Sequence, residues 1–381
     1  MMRQKICIPH ALSARTARRA NEKPRLLVFI EGLVQLENMG SIASSLVKRG
    51  QVDVKLLAST TALMRDRRFL SFLKRNAIPF KIVKKQRYWR NPAPYLEDVD
   101  AVLTISDPVK DLPLTRGFSE YYAKVGMETI YLQHGLVQYN LNYPLKGRDL
   151  RFHSGLILLW QDPQEQGILA PEYREKASIV GFTKNPVLPV KDLSLRSRWL
   201  RSKYRSVVVF CHSFILTEMF NEDDIETFYR IATEYAERNP KDLVILRGHR
   251  MRMRVVHRDR DRSLCKRLPN VVVSSKHFGA FSGLAFADLL AHVDAVVSTP
   301  STALLDATYA GVPVAKIGDH PAVLESLPTI TCAEDVEAVR DSSRSAALPM
   351  VMPEFGELET NIQHACDAIE AHMMSLRARG K

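Results

Sequence analysis

Short apolar runs, each ended by a glycine or a polar residue, recur along the first half of the chain. RLLVFIEG (25–32), VDVKLLAS (52–59), PFKIVKK (79–85), VDAVLTISD (99–107), ETIYLQHG (128–135), LILLWQ (156–161) and ASIVGF (177–182) have the length and unbroken hydrophobicity of strands buried on both faces. Segments with helical spacing lie between them. In MGSIASSLVKRG (39–50), Ile42, Leu46 and Val47 share one face and Gly50 closes the helix; residues 63–76 read as one basic helix. Strands alternating with helices at this rhythm predict a parallel sheet covered by helices on both faces.

The pattern breaks over 183–206, which has two prolines after Lys184 and no strand period, and restarts at Ser206. SVVVFCHS (206–213), DLVILRGH (242–249), NVVVSS (270–275), VDAVVSTP (293–300) and VPVAKIG (312–318) are the next predicted strands. IETFYRIATEYAER (225–238) and STALLDATYAG (301–311) are predicted helices, and from about 354 to 379 the tail reads as one long helix. The expectation is an α/β protein of two Rossmann-like domains facing across a cleft. It divides into a basic flexible arm (1–24), an N-terminal acceptor domain (25–186), a linker (187–205), a C-terminal nucleotide-donor domain (206–350) and a C-terminal helix (351–381) packing back on the first domain. Ligands of such sheets bind outside the carboxyl ends of the strands.

Composition narrows the classes. The 381 residues are 46% hydrophobic and 25% charged, which excludes a disordered or fibrous chain. No apolar run approaches the ~18 residues of a membrane span. The start is basic without an apolar core, so it is expected to be a cytosolic arm rather than a secretory signal. Five cysteines with no CxxC pair point to a reducing compartment and away from a disulfide framework. A net charge of +12 favours phosphate-bearing partners or an anionic membrane surface. A nucleic-acid-binding protein would use the same charge, but no recognition motif for that role is present.

The candidate chemistry sits at strand ends. In DAVVSTPSTALLDATYAG a strand ends in Ser298 and Thr299, Pro300 turns the chain, and Ser301 and Thr302 open a helix. Free N–H groups and the dipole of a helix's first turn attract anions, and four hydroxyls add donors for phosphate. Arg247, His249 and Arg250 lie at the end of another strand of the same sheet, where they can neutralise a diphosphate without a metal. His134 ends a first-domain strand and is placed for proton transfer, with Asp107 at the end of the preceding strand to orient it or bind acceptor hydroxyls. The Asp259–Arg260–Asp261 triplet formally matches a metal–nucleotide D-x-D, but is expected to pair with the arginines around it. The dinucleotide GxGxxG, the Walker loop, the G-x-S-x-G elbow and HExxH are absent.

Four pieces in this order resemble the bacterial CDP-glycerol glycerophosphotransferases and the related capsule and teichoic-acid polysaccharide transferases. The family's Trp-His-Gly-Thr segment reads Gln133-His134-Gly135-Leu136 here. Its interdomain Gly-aromatic-Pro-Arg-Asn-Asp segment reads, over its first five positions, Gly181-Phe182-Thr183-Lys184-Asn185, and its Leu-x-x-His-Pro strand end reads Leu246-Arg247-Gly248-His249-Arg250. Its Asp-Leu-Leu, then Asp-Tyr-Ser-Ser, become Asp288-Leu289-Leu290 and Ser298-Thr299-Pro300-Ser301-Thr302. The resemblance covers roughly residues 100–320. It implies the GT-B fold and a metal-independent transferase needing no cofactor. Such an enzyme moves a glycosyl or glycerophosphoryl unit from a CDP-, CMP- or UDP-linked donor to a polysaccharide or lipid-linked hydroxyl. It would sit in the cytoplasm, at the inner face of the bacterial membrane. In that reading His134 is the general base, and Arg247, His249, Arg250, Ser298, Thr299, Ser301 and Thr302 hold the donor phosphates. Transferases using CMP-sialic acid or CMP-Kdo look similar, and a GT-B-shaped UDP-sugar epimerase, for which Asp107 and Asp306 are the available carboxylates, is a further alternative.

Overall fold

The computed structural model describes residues 22–105, 122–123, 125–138, 152–162, 169–214, 220–248, 255–275, 277–318 and 323–379. The chain forms two compact units. One comprises Met1–His134, Gln138–Pro189 and Phe355–Lys381; the other comprises Gly135–Val137 and Val190–Glu354.

The first unit is built on a seven-stranded parallel sheet of order β3-β2-β1-β4-β5-β6-β7. Its strands are β1 (Arg25–Ile30), β2 (Asp53–Ser59), β3 (Phe80–Val83), β4 (Ala101–Thr104), β5 (Glu128–Leu132), β6 (Leu156–Leu159) and β7 (Ala177–Ile179). The second has a five-stranded parallel sheet of order β10-β9-β8-β11-β12. It consists of β8 (Ser206–His212), β9 (Asp242–Gly248), β10 (Val271–Val273), β11 (Ala295–Ser298) and β12 (Val314–Lys316). The apolar runs of the sequence are the central strands because helices cover both faces and leave no solvated side for polar residues. Leu26, Leu27, Val28 and Ile30 of β1 and Val208, Val209 and Phe210 of β8 have no exposed surface. In each sheet the strand order reverses beside the first strand, between β1 and β4 and between β8 and β11. Such switch points open a crevice at the carboxyl edge, because the two flanking connections leave in opposite directions.

Three segments differ from the sequence pattern. The basic stretch 63–76 is two helices, Thr60–Arg65 and Arg68–Arg75. Ser59 caps the first, accepting from the Ala62 N–H, and Asp66 interrupts the run by turning to bind the Arg68 backbone and guanidinium. The linker contains a helix, Leu195–Ser202, started by Ser194, whose hydroxyl accepts from the Ser197 N–H. The tail helix spans Leu358–Arg379 and follows a separate helix, Leu348–Phe355.

The Leu358–Arg379 helix belongs to the first unit, where Ile362, Ala365, Cys366, Ile369 and Met373 join the core beneath the Leu33–Arg49 helix. Asn361 ties its start in place. Its amide donates to the carbonyls of Phe182 and Phe355, at 3.0 and 2.6 Å. Gly181 and Gly356 both adopt left-handed φ values, +77° and +73°, and a Cβ on either would lie 2.3 Å from Asn361 Oδ1. A side chain is excluded at both positions by backbone conformation and by space. Asn361→Leu takes the side-chain donor from the Phe182 carbonyl and leaves the Phe355 carbonyl only the Phe182 N–H, at 2.9 Å, and about 1–3 kcal/mol of stability should be lost. The check is the urea midpoint of the transition that reports the first unit.

Candidate active site at the carboxyl edge

At the switch point of the second sheet, the ends of β8 and β11 meet. Ser298 is wholly buried; its hydroxyl donates to the Thr299 carbonyl at 2.7 Å and shares a hydrogen bond with Ser301 Oγ at 2.9 Å. Thr299 is also buried, and its Oγ1 accepts from the Ser213 N–H at 3.2 Å, bridging β11 to β8. These two hydroxyls shape the turn around Pro300. Ser301 stands at the N-cap of the Thr302–Tyr309 helix, but its side chain makes no capping hydrogen bond. The Leu304 N–H turns back to the Ser301 carbonyl at 3.1 Å, so the Thr302 and Ala303 amides are the ones left at the mouth for an outside acceptor, in the field of the helix dipole. Thr302, half-buried, accepts from the Leu136 N–H through Oγ1 at 2.8 Å, and its own hydroxyl proton is still available to donate.

The registers Lys316↔Ser298, Ser298↔Cys211 and Cys211↔Arg247 line up one side chain from each of β12, β11, β8 and β9. In a parallel sheet, registered residues project to the same face. The row holds two cations that are almost fully buried, Lys316 and Arg247, at 3% and 9% exposure. One Arg247 η nitrogen donates to the Leu284 carbonyl at 3.3 Å, and the guanidinium lies 5.6 Å from the centre of the Phe286 ring. The other η nitrogen has no hydrogen-bond partner among the described residues. Burial holds the Arg247 basicity below its usual range. Burial also pushes the neighbouring Cys211 thiol up to about 12 in spite of Arg247, so Cys211 is a packed thiol rather than a nucleophile. A buried cation with an unspent donor at a sheet edge is equipped to receive an anionic oxygen.

His134 lies two residues beyond the end of β5 and is half-buried. Its backbone N–H donates to Gln138 Oε1 at 3.2 Å, which also accepts from the Tyr131 hydroxyl at 2.9 Å. Those donors orient the Gln138 amide so that its Nε2 faces the imidazole, 2.9 Å from Nδ1. An amide N–H can only donate, so Nδ1, the nearer ring nitrogen, is placed to accept from it; Nε2 lies 3.4 Å from the same nitrogen. Two residues further along, Leu136 is fully buried and donates to Thr302 within the second unit.

Of the other residues expected here, Asp107, His249 and Arg250 lie outside the described residues. Asp261 overturns the expected pairing with arginines. It is wholly buried, accepts from the Tyr229 hydroxyl at 2.8 Å, and lies 3.7 Å from Nε2 of the equally buried His212 at the end of β8. Its triplet partner Asp259 does face arginines, Arg258 and Arg262. No group of three or more metal-ligating side chains occurs among the described residues. The sequence reading missed His212, Asp261, Tyr229 and Lys316. The signal was available for His212, a polar residue closing the first strand of the second sheet beside its switch point. It was absent for Asp261, whose helix reads as solvated from sequence alone.

No protein-family model matches the chain, and no curated protein does. Solved structures resemble it over nearly its whole length. A protein of Listeria monocytogenes assigned as a UDP-N-acetylglucosamine 2-epimerase superposes with a TM-score of 0.63 at 13% identity, covering 93% of this chain and 98% of that one. The UDP-GlcNAc 2-epimerase of Neisseria meningitidis, bound to UDP-GlcNAc, gives 0.55 at 14% identity, covering 91% and 99%. A glycosyltransferase of Rickettsia africae gives 0.52 at 12% identity, covering 93% and 99%. At such identities the likeness establishes the fold, the GT-B α/β architecture of two parallel-sheet domains.

Proposed function

We propose that this chain is a transferase that moves a glycosyl or glycerophosphoryl unit from a nucleotide-activated donor to the hydroxyl of a polysaccharide or lipid-linked acceptor. The observation that carries this reading is the edge of the second sheet. There an uncapped helix mouth opened by Ser301 and Thr302 accompanies a buried arginine with an unspent donor. Such an edge suits the phosphates of a CDP-, CMP- or UDP-linked donor, and solved structures of this fold hold UDP-linked sugars. Charge developing on the leaving phosphate is offset by the helix mouth and Arg247, with His249 and Arg250 as further cations. Ser298 and Thr299 act by fixing the turn that presents Ser301.

His134 is the proposed general base. The Gln138 amide sits where an acceptor hydroxyl would donate to Nδ1; when the hydroxyl takes that place, Nδ1 receives its proton as the oxygen attacks. Asp107 is proposed to orient the ring or the acceptor. The basic chain is proposed to work against an anionic membrane, where lipid-linked acceptors are held; no described helix is long and apolar enough to cross one. A UDP-sugar 2-epimerase is the rival that two of the superposed structures favour. Epimerisation needs carboxylates for acid/base work at this edge, and Asp306, half-buried on the Thr302–Tyr309 helix, is a described one.

A thermal-shift series with CDP, CMP, UDP and GDP should show stabilisation by one nucleotide, ~2.7 kcal/mol at a hundred times its Kd. Ser301→Ala with Thr302→Ala should weaken that nucleotide's binding by ~1.5–3 kcal/mol per lost charge-assisted bond, measured by calorimetry. Unchanged affinity would leave the two hydroxyls with a purely structural role. Conversion of UDP-GlcNAc in the absence of any acceptor would establish the epimerase instead.

A further inference from the structure

The Leu195–Ser202 helix turns its polar side inward. Ser197 is buried and donates to the Ala280 carbonyl at 2.8 Å. The opposite side carries Leu195 and Trp199, one turn apart, which are 84% and 60% exposed; Val190, just upstream, is 53% exposed. Large apolar side chains this open, three within ten residues, are unusual on a soluble surface. Exposed cations frame them: Lys191, Arg196, Arg198 and Lys203, none in an ion pair among the described residues, with Lys203 Nζ lying 3.4 Å from the Trp199 ring centre. Arg196 and Arg198 flank the apolar line, one on each side, by the 100° step of the helix. Asp192 is the single carboxylate between Val190 and Arg205.

We infer that this helix face is an interfacial anchor for an anionic lipid surface, with Leu195 and Trp199 entering the headgroup boundary and the four cations meeting lipid phosphates. Charge complementarity selects this occupant. A second copy would bring an equal positive face against it, and a polyanion in solution would satisfy the cations while leaving Leu195 and Val190 in water. A tryptophan beside leucine and long cationic stems that reach to the headgroups is the side-chain set that interfacial helices use. The inference rests on the membrane part of the function proposed above and assigns it to a surface.

The test uses the full chain and flotation with vesicles of phosphatidylcholine alone or mixed with phosphatidylglycerol, with no donor or acceptor present. Vesicle binding and transfer chemistry therefore succeed or fail independently. Binding should require phosphatidylglycerol. Arg196→Glu with Arg198→Glu should weaken it about 25-fold or more, since each cation near such a surface is worth about fivefold. Leu195→Ser with Trp199→Ser should weaken it about 30-fold, and both pairs should keep the thermal unfolding and nucleotide response of the parent. The inference is overturned if binding is indifferent to both pairs or equal on phosphatidylcholine. It is likewise overturned if the charge pair alone matters and RNA competes, which would make the face a polyanion site, or if the parent self-associates and the apolar pair restores a monomer.

Discussion

Replacing His134 with alanine is expected to lower kcat by ~10²–10⁴, the usual worth of a general base, with the donor Kd changed by less than about twofold. The proposed donor groups belong to the second unit, whereas His134 belongs to the first. Transfer should fall as the pH is lowered far enough to protonate the ring, because only the neutral ring can accept at Nδ1. The alanine variant should lose that limb. Gln138→Ala provides a control on the geometry. It removes the amide that faces Nδ1 and holds the His134 N–H, so kcat should fall less than in the His134 variant and the pH limb should persist. Near-normal turnover in His134→Ala, measured under donor saturation, would remove the residue from the reaction.

Arg340→Ala should cost the second unit ~3–5 kcal/mol, read as the shift of its urea transition. Asp242, at the start of β9, is wholly buried, and its carboxylate accepts from the Tyr235 hydroxyl at 2.8 Å, from Arg205 and from Arg340. Burial pushes this carboxyl up, but the hydrogen bonds from Tyr235, Arg205 and Arg340 outweigh it and hold it below the usual carboxylate range. Arg340 also donates to Asn239 Oδ1 at 3.1 Å, so one guanidinium ties the strand start to the end of the Glu222–Arg238 helix. Removing it leaves a buried charge short of its main cation. A folded-state pKa below the unfolded one, ~3.9, gives stability that is fully present above pH ~4 and lost as pH falls below it. Acid should therefore weaken the parent below that point, and the Arg340→Ala variant should show a smaller acid loss because less is left to lose. Asp242→Leu combined with Arg340→Met removes charge and counter-charge together and should cost less than Arg340→Ala alone, since neither partner is then stranded.

Periodicity by itself determined the twelve strands, their parallel pairing and the restart at Ser206. A strand covered on both faces must be apolar along its length, and only a βαβ crossover can join such strands in parallel, so local sequence carries that information. The strand-end positions of Ser298 and Arg247 were legible for the same reason, because each follows an apolar run directly, and Ser301 and Thr302 were legible as the helix start just beyond the proline turn. Contacts distant in sequence were decided by the fold alone. Asp261 reads as one more charge in an arginine-rich helix, yet it is buried against Tyr229 and His212, 32 and 49 positions away. The stretch 63–76 keeps a helical spacing throughout, and only the Asp66–Arg68 bonds break it. Ser301 fits the sequence pattern of a capping residue, but its hydroxyl is taken by Ser298, because the turn at Pro300 brings those two oxygens to 2.9 Å and leaves the helix mouth open. A side chain's partner depends on which residues the packed fold brings within reach, and a linear pattern records only the face on which it starts.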